Sequence, residues 1–368
     1  MKVLIAGGGT GGHINPGVAI ARYINEKNND AEILFVGTAR GLETKLVPRE
    51  GFKLELIKVR GFKRKLSAEN LTAIKELFQG LLQAGRIIKK FKPDLVIGTG
   101  GYVCGPVLFM AARKKIPTVI HEQNAFPGVT NRILSRYVDA VAISFKEAEK
   151  FFDNAKKLQL TGNPVRPELL KADRAAARGV VGVVKDDPFI VIFGGSLGAG
   201  KINSAATDML LNHYKKGDFK LMLATGNNQY DSVVESLKDF KSNDVNVTPY
   251  IYNAAEVFSA ADLIVCRAGA ITCSELTALG IPSIMIPSPN VTANHQEHNA
   301  RALENQGASV VILDKDLSGK LLYDQIKDLL NDREQLAKMA RNAKKAGITN
   351  AVDRIYSIII DVMKSRGK

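Results

Sequence analysis

The sequence has few cysteines and no long hydrophobic run, and both absences narrow the class of protein. Its 368 residues include three cysteines, which are widely spaced and form no Cys-x-x-Cys pair. That usage suits a reducing compartment and argues against a disulfide framework or a cysteine-ligated zinc site. No stretch approaches the roughly 18 uninterrupted apolar residues of a membrane-spanning helix, and the apolar run at Met1–Ala6 is too short for a signal peptide. The sequence therefore predicts a cytosolic protein, or one bound to a membrane surface from the cytosolic side.

Acidic residues are scarce in the first half of the chain. Residues 1–163 carry 26 Lys and Arg against 14 Asp and Glu, whereas residues 164–368 carry 25 against 23. A basic excess confined to one half predicts an anionic partner, either phospholipid or nucleic acid, unless the lysines are merely scattered and solvated. Nucleic acid is disfavoured because the basic tracts are short, are interleaved with aliphatic residues, and accompany no nucleic-acid-binding motif.

Short apolar strands alternate with longer stretches of mixed periodicity along the whole chain. In the first half the predicted strands are residues 2–6, 32–36, 53–58, 94–97, 117–120 and 139–143. In the second half they are residues 189–193, 219–223, 245–248, 262–266, 282–286 and 309–312. Near-continuous Val, Ile and Leu strands with helices between them indicate parallel sheets covered on both faces. Two such units predict two Rossmann-like domains, with a boundary near Thr161–Pro167 where glycine and proline interrupt the periodicity.

One predicted helix, at residues 69–90, carries an apolar face surrounded by basic residues. The apolar residues are Leu71, Ile74, Leu77, Phe78, Leu81, Leu82 and Ile88. The basic residues around them are Lys63, Arg64, Lys65, Lys75, Arg86, Lys89 and Lys90. The pattern is typical of a helix that covers a sheet, and equally of a patch that enters the headgroup layer of an anionic membrane.

Three of the predicted strands run directly into glycine-rich turns, at residues 7–13, 98–106 and 194–201. Glycine permits a sharp turn and leaves the backbone N–H groups open to an anion, because no Cβ stands in the way. The N-terminus of a following helix adds about half a positive charge at the same point. The repeated device predicts a cleft for a diphosphate-linked ligand, and His13 places a titratable group at its edge.

The first turn also fits the G-x-G-x-x-G pattern of dinucleotide-binding proteins. That reading requires an acidic residue near the end of the second strand to bind a ribose, but Thr38, Ala39 and Arg40 follow the strand here. NAD is therefore disfavoured. An NADP interpretation, with Arg40 on the 2′-phosphate, remains open but leaves the other two glycine turns unexplained.

Polar residues follow further strands at positions suited to ligand binding. His121–Asn124 follow the strand at 117–120, and ligands of α/β proteins bind at the carboxyl ends of strands. Glu275 stands one turn into the helix after residues 262–266, where a carboxylate can accept both ribose hydroxyls or, alternatively, only stabilise the helix dipole. Asn294–Asn299 present amide groups suited to sugar hydroxyls.

Seven motifs occur in one order along the chain: GGTGGH, GTGGYVCGP, HEQNAFPG, GNPVRP, GGSLGA, RAGAITCSE and PNVTANHQEHNA. In this order and spacing they resemble the MurG family, the glycosyltransferases that convert lipid I to lipid II in bacterial cell-wall synthesis. The resemblance covers essentially the whole chain. It implies an α/β protein of the GT-B fold, in which the parallel sheets of two Rossmann-like domains face a deep interdomain cleft.

The resemblance also implies the substrates and the location. The donor would be UDP-N-acetylglucosamine, and the acceptor would be lipid I, the undecaprenyl-diphosphate-linked N-acetylmuramoyl-pentapeptide. The sugar would pass with inversion to the 4-hydroxyl of the N-acetylmuramoyl group, without a metal or other cofactor. Residues 1–163 would bind the acceptor and the cytoplasmic face of the cell membrane, and residues 164–345 would bind the UDP-sugar. The C-terminal helix, about residues 346–368, would pack back on the first domain.

Carried over residue by residue, the resemblance implies a set of contacts in each domain. In the first domain, contacts to the sugar and the acceptor diphosphate would come from Thr10, Gly11, Gly12 and Asn124. In the second, the donor would be bound by Arg166, Ser196, the backbone of Ile251, the nucleoside-wrapping Ala270, Ile271, Thr272, Cys273, Ser274 and Glu275, and, on the sugar hydroxyls, Gln296 with Asn299. The chain has Leu197 where many relatives have a glutamine, and His295 where some have another, so the resemblance implies no diphosphate contact by side chain 197.

Inverting transfer needs a base at the acceptor and stabilisation of the charge that develops on the leaving diphosphate. His13 is the candidate base, because an imidazole accepts protons near neutral pH; its alternative roles are to orient the glycine turn or to bind phosphate as a cation. The N–H groups and helix after Gly194–Gly198 can meet the leaving-group charge.

Two metal-site patterns and two other functions remain as alternatives. Asp314-Lys315-Asp316 matches the D-x-D of metal-dependent glycosyltransferases, although an Asp there also suits a helix N-cap. His295 and His298 have the spacing of a ligand pair but lack a third ligand. The alternative functions are another GT-B glycolipid glycosyltransferase and a non-catalytic UDP-sugar-binding protein.

Overall fold

The computed structural model describes residues 1–61, 68–184, 187–195 and 198–367. They divide into two compact units, the first formed by Met1–Pro164 with Asn350–Lys368 and the second by Val165–Thr349. Each unit alternates strands and helices, and every strand pairing within the described residues is parallel. The predicted class of two parallel-sheet α/β units is therefore confirmed.

In the described part of the first unit, seven strands form one sheet in the order β3-β2-β1-β4-β5-β6-β7. Their bounds are β1 Lys2–Gly7, β2 Glu32–Gly37, β3 Lys53–Leu56, β4 Leu95–Gly100, β5 Thr118–Glu122, β6 Ala140–Ile143 and β7 Leu158–Leu160. Six of them lie at the predicted places. The sequence pattern does not reveal β7, because three residues are too few to show a strand pattern.

Helices cover both faces of this sheet. They are α1 Gly11–Lys27, α2 Glu43–Arg49, α3 Ala68–Phe91, α4 Cys104–Arg113, α5 Val129–Leu134 and the C-terminal α15 Ala351–Ser365, with a 3-10 turn at Lys146–Phe151. One apolar cluster joins α3 and α4 to the sheet, and a second joins α1 and α15 to its other face. Helix α15 buries Ile355, Ile358, Ile359 and Val362 at helical spacing in the second cluster. The last helix thus completes the core of the first unit.

The second unit contains, within the residues described, a six-stranded sheet in the order β10-β9-β8-β11-β12-β13. Its strands are β8 Phe189–Phe193, β9 Lys220–Ala224, β10 Val245–Thr248, β11 Leu263–Cys266, β12 Ser283–Met285 and β13 Ser309–Val311. Its helices are α6 Pro167–Lys171, α7 Arg174–Val180, α8 Gly200–Asn212, α9 Tyr230–Ser236, α10 Ala254–Ala260, α11 Ala270–Leu279, α12 His295–Asn305, α13 Gly319–Asn331 and α14 Arg333–Ala346. All six strands lie where the sequence predicts them.

The strand order reverses beside the first strand of each unit. Strand β1 lies between β2 and β4, and β8 lies between β9 and β11. Chains leaving two such neighbouring strands diverge, which opens a crevice at their carboxyl ends where α/β proteins bind ligands. The first two glycine turns follow β1 and β4, and the third follows β8. The fold therefore places the predicted motifs at these two crevices.

Candidate functional site

The first two glycine turns contact each other directly. The Gly8 N–H donates to the Gly100 carbonyl oxygen at 3.2 Å. Gly100 and Gly101 have φ angles of +112° and +86°, and a Cβ on Gly101 would lie 2.5 Å from the Gly8 oxygen. Only glycine fits there, because a side chain would meet both backbone strain and a clash. The glycines of the second turn therefore shape the first turn.

His13 lies in the first turn of α1, with its ring against this pair of loops. Its Nδ1 is 3.0 Å from the Gly8 carbonyl oxygen, and a Cβ on Gly100 would lie 2.5 Å from its Cδ2. Because a carbonyl oxygen can only accept, Nδ1 carries the proton, and Nε2 of the neutral ring is left as an acceptor. Thr10 and Gly12 beside it are exposed, and Gly11 is half-buried. The Gly8 carbonyl oxygen thus takes up Nδ1 and leaves Nε2 as the second ring nitrogen for other contacts.

Glu43 is a buried residue beside the first glycine turn that the sequence pattern does not single out. Its side chain is fully buried, and its Oε2 accepts the Gly9 N–H at 2.8 Å. Its Oε1 accepts the Thr38 N–H and the Thr38 hydroxyl, each at 2.8 Å. The Gly9 amide, which the sequence analysis offered to a ligand phosphate, is therefore bound by the chain's own carboxylate. That contact weakens the dinucleotide interpretation of the first turn.

The polar residues at the carboxyl end of β5 bond mainly to other parts of the first unit. His121 is fully buried, and its Nε2 is 3.1 Å from the Gly162 carbonyl oxygen. Its Nδ1 lies 3.0 Å from the Gln123 amide nitrogen. Burial lowers the pKa of His121 to about 4, so the ring is neutral near pH 7. His121 is therefore a structural residue.

Glu122 organises the loop that carries Asn124. Its carboxylate accepts the Asn124 N–H at 3.0 Å and the Asn124 side-chain amide at 3.2 Å. It also accepts the Gly128 N–H at 3.1 Å and the Asn131 amide at 2.8 Å. Asn124 is half-buried, whereas His121, Glu122 and Gln123 are buried. Of the four predicted residues, Asn124 alone keeps an accessible side chain.

Arg166 and Glu275, both predicted to bind the donor, form an ion pair in the second unit. The Arg166 Nε lies 2.7 Å from the Glu275 Oε1, and its Nη2 lies 3.2 Å from the other carboxylate oxygen. The Glu275 side chain is 6% exposed and that of Arg166 is 45% exposed. Burial raises the pKa of Glu275, while Arg166 opposes that rise. A ribose that binds Glu275 must therefore share or displace this guanidinium.

The rest of the predicted nucleoside segment forms the first turns of α11. Ile271, Thr272 and Ser274 are half-buried, and Ala270 is buried. Cys273 is fully buried, with its sulfur 3.8 Å from the Met285 sulfur. The Cys273 side chain therefore faces β12, and the contact of this segment with the nucleoside stays a prediction.

The two predicted sugar-binding residues of α12, Gln296 and Asn299, differ in their burial. Gln296 is half-buried, and its Oε1 accepts the Ser288 N–H at 2.8 Å. Asn299 is fully buried and donates to the Ala268 carbonyl oxygen at 3.2 Å. Asn299 thus joins α12 to the segment before α11, and its contact with the sugar stays a prediction. Ile251 is half-buried beside the exposed Tyr252.

The third glycine turn is described only at its ends. A Cβ on Gly194 or Gly198 would overlap Ala199 or the Thr225 carbonyl oxygen, respectively, so the backbone approaches closely at both positions. Helix α8 begins just after the turn, at Gly200. Ser196 and Leu197 lie outside the described residues, and the contact assigned to Ser196 stays a prediction.

Family models and curated relatives both match this chain over most of its length. Residues 3–143 match the glycosyltransferase family 28 N-terminal domain, and residues 189–355 match the corresponding C-terminal domain. A protein of Acetivibrio thermocellus is 63% identical over 366 residues, covering 100% of this chain and 99% of its own. A protein of Ruminiclostridium cellulolyticum is 60% identical over 365 residues, covering 99% and 100%. Both are named UDP-N-acetylglucosamine--N-acetylmuramyl-(pentapeptide) pyrophosphoryl-undecaprenol N-acetylglucosamine transferase.

The crystal structure of Acinetobacter baumannii MurG superposes with a TM-score of 0.80 at 30% identity, covering 98% of this chain and 99% of that one. The chain belongs to the MurG family. The predicted family and the predicted GT-B fold are thereby confirmed. The individual site residues are tested by none of these comparisons, and they stay predictions.

The D-x-D pattern at Asp314–Asp316 does not form a metal site among the described residues of this MurG-family chain. Asp314 lies 2.5 Å from the Arg267 guanidinium, so one carboxylate of the D-x-D pattern already has a cation. The N-cap of α13 is Ser318, whose hydroxyl accepts the Leu321 N–H at 3.2 Å, and not an aspartate of the pattern. Among the residues described, no group of three His, Cys, Asp or Glu side chains is arranged to hold a metal ion.

Proposed function

We propose that this chain transfers N-acetylglucosamine from UDP-N-acetylglucosamine to the 4-hydroxyl of the N-acetylmuramoyl group of lipid I. The product is lipid II, the precursor of peptidoglycan. The observation that carries the proposal is the 63% identity, over the full length of both chains, to a relative named for this transfer. The chain is thus an inverting hexosyltransferase with two substrates, the sugar nucleotide and lipid I.

The second unit supplies the donor site in this proposal. Glu275 accepts the ribose hydroxyls, and the backbone of Ile251 binds uracil. Arg166, released from Glu275 in part or whole, is a cation beside the nucleotide. Ser196 and the backbone amides that precede α8 bind the diphosphate, and Gln296 binds the sugar. These roles combine the ion pair seen at Glu275 with the anion-binding character of a glycine turn before a 13-residue helix.

His13 is the general base of the proposed reaction. Its Nε2 takes the proton of the acceptor's 4-hydroxyl while that oxygen forms a bond to the anomeric carbon. On the opposite face of the sugar, the bond from the anomeric carbon to the diphosphate oxygen breaks, and UDP leaves with the electron pair. Backbone amides at the third glycine turn stabilise the charge on the departing diphosphate. Thr10, Gly11 and Gly12 hold the acceptor diphosphate beside the base.

A transfer assay tests the function directly. Radiolabelled UDP-N-acetylglucosamine is incubated with the purified protein and a short-chain lipid I analogue, with and without EDTA. We expect label in the lipid product, at the same rate in both conditions, because backbone amides meet the leaving-group charge. Diacylglycerol as acceptor is the matched control and should stay unlabelled. Transfer to diacylglycerol would favour the other glycolipid transferase, and UDP binding without any transfer would favour the non-catalytic protein.

We also infer that the first unit binds the cytoplasmic face of the membrane through one face of α3. Leu71, Phe78 and Leu82 are 71%, 64% and 65% exposed, and Ile74 is 44% exposed. The buried face opposite them consists largely of the small residues Ala73, Gly80 and Ala84, with Ile88, and of these Ala84 and Ile88 join the apolar cluster of the sheet.

Helix α3 therefore carries a second apolar face, and exposed Lys75, Arg86, Lys89 and Lys90 lie on the same helix. Apolar side chains with nearby cations suit an anionic headgroup layer. No helix among the described residues is long and apolar enough to cross a bilayer. Lys63, Arg64 and Lys65, which the sequence analysis added to this patch, lie outside the described residues.

Replacing both Phe78 and Leu82 with serine should weaken binding to phosphatidylglycerol vesicles by at least about tenfold, because the burial of two large apolar side chains is lost. Co-sedimentation measures the bound fraction. Leu211→Ser, at an apolar residue of α8 with 48% exposure, is the matched control and should leave binding unchanged. Equal binding by the double variant would contradict the assignment of this face.

A further inference from the structure

A single peptide unit connects Glu43 to His13. The Gly9 N–H donates to the Glu43 Oε2 at 2.8 Å, and the Gly8 carbonyl oxygen accepts from the His13 Nδ1 at 3.0 Å. That N–H and that carbonyl belong to the same peptide bond. In a trans peptide the two groups point in opposite directions within one rigid plane. The Glu43 carboxylate therefore fixes the orientation of the peptide plane through the N–H. The His13 imidazole bonds to the carbonyl of the same plane, so its position depends on that orientation.

The position of the carboxylate is itself strongly determined. Glu43 is fully buried, and its other oxygen accepts both the backbone N–H and the hydroxyl of Thr38. Three glycines surround it, since a Cβ on Gly8, Gly37 or Gly41 would overlap its side chain. A buried carboxylate without such donors would be costly. The glycines thus provide the space for the Glu43 carboxylate, and Gly9 and Thr38 provide its hydrogen-bond donors.

We propose that Glu43 is a positioning residue for the transfer reaction, acting on His13 through the Gly8–Gly9 peptide. The proposal rests on the proposed function, in which His13 accepts the proton of the acceptor hydroxyl. Glu43 holds the peptide so that the Gly8 oxygen keeps the His13 proton on Nδ1 and leaves Nε2 as the acceptor.

The same chain of hydrogen bonds acts during the proton transfer. The acceptor proton arrives at Nε2, the proton on Nδ1 stays in place, and the ring becomes a cation. A carboxylate that accepts the N–H of a peptide polarises its carbonyl, because hydrogen bonds in series strengthen one another. The polarised Gly8 oxygen then interacts more favourably with the cationic ring. Glu43 therefore stabilises the product of proton transfer without contacting a substrate.

Glu43→Gln tests this relay. The substitution keeps the size of the side chain and removes its charge. Because both carboxylate oxygens accept hydrogen bonds, the new NH2 group must face a donor, either that of Gly9 or those of Thr38. We expect kcat to fall roughly 10- to 100-fold, as for other misaligned catalytic groups. The KM for UDP-N-acetylglucosamine and the Kd for UDP should stay within about twofold of the wild-type values. Glu26→Gln, the same change at an exposed residue of α1, is the matched control and should leave kcat unchanged.

A double-mutant comparison separates this role from a purely structural one. In a His13→Ala background, Glu43→Gln should cause no further loss of kcat, because the group it positions is gone. The proposal would be overturned if the fold-loss of kcat in the double variant equalled the product of the two single fold-losses. It would also be overturned if the kcat of Glu43→Gln stayed within twofold of wild type. If the wild-type chain transfers sugar and His13→Ala loses kcat while Glu43→Gln does not, this inference fails and the proposed function stands.

Gly41→Ala gives an independent test that leaves Glu43 in the chain. Its Cβ would overlap the Glu43 carboxylate, the movable end of that side chain, and Gly41 is not among the glycines with positive φ. The carboxylate is then displaced from the Gly9 N–H. We expect the same loss of kcat and the same absence of additivity with His13→Ala. This variant decides the question if Glu43→Gln does not fold, and an unchanged kcat in Gly41→Ala would overturn the proposal.

Discussion

His13→Ala should reduce kcat by about 100- to 10,000-fold, the range that a lost general base produces. The reason is geometric: the bond from His13 Nδ1 to the Gly8 oxygen leaves Nε2 as the proton acceptor. The Kd for UDP should not change, because the proposed nucleotide contacts lie in the other unit. Steady-state transfer to the lipid I analogue gives kcat, and calorimetry gives the Kd.

The control for this variant is His213→Ala, since His213 is the C-cap residue of α8 in the second unit and takes no part in the proposed chemistry. Its kcat should equal that of the wild type. If His13→Ala weakened UDP binding as much as it lowered kcat, the histidine would be a structural residue of the glycine turn. If kcat stayed within threefold of wild type, another group would be the base.

The sequence predicted most of the fold because its strands are unambiguous. Strands such as β1 and β8 are runs of Val, Ile and Leu that are buried on both sides, and such runs with helices between them admit few arrangements. The short strand β7 was missed for the opposite reason, since half-buried Leu158–Leu160 show neither a long apolar run nor an alternation.

The site was predicted less completely, because sequence patterns show where a residue stands along the chain and not which way its side chain faces. Glu43 is 34 residues from Gly9 in sequence, yet its carboxylate accepts a hydrogen bond from the Gly9 N–H. The signal available was its place as the first residue of α2, shortly after Gly37 and Gly41. His121 stands near the carboxyl end of β5, where ligands bind in α/β proteins, yet its ring is buried, and the Asn299 side chain bonds to the Ala268 carbonyl oxygen.

Glu275→Gln should raise the Kd for UDP, and the KM for UDP-N-acetylglucosamine, by about 10- to 100-fold, the effect of losing hydrogen bonds to a charged acceptor. The carboxylate is buried and already bonded by Arg166 through both of its oxygens. A neutral amide cannot accept from the guanidinium and the ribose hydroxyls together. At saturating donor, kcat should change little, which is the reverse of the pattern expected for His13→Ala.

The ribose contact itself is tested by measuring 2′-deoxy-UDP beside UDP by calorimetry. Wild type should bind the deoxy compound more weakly than UDP, whereas Glu275→Gln should bind the two about equally, because the variant has lost the charge that favours the hydroxyl. Glu168→Gln is the matched control, since exposed Glu168 also interacts electrostatically with Arg166 but has no proposed contact with the nucleotide. A Glu275→Gln variant that kept the wild-type preference for UDP would place the ribose elsewhere and leave Glu275 as the partner of Arg166.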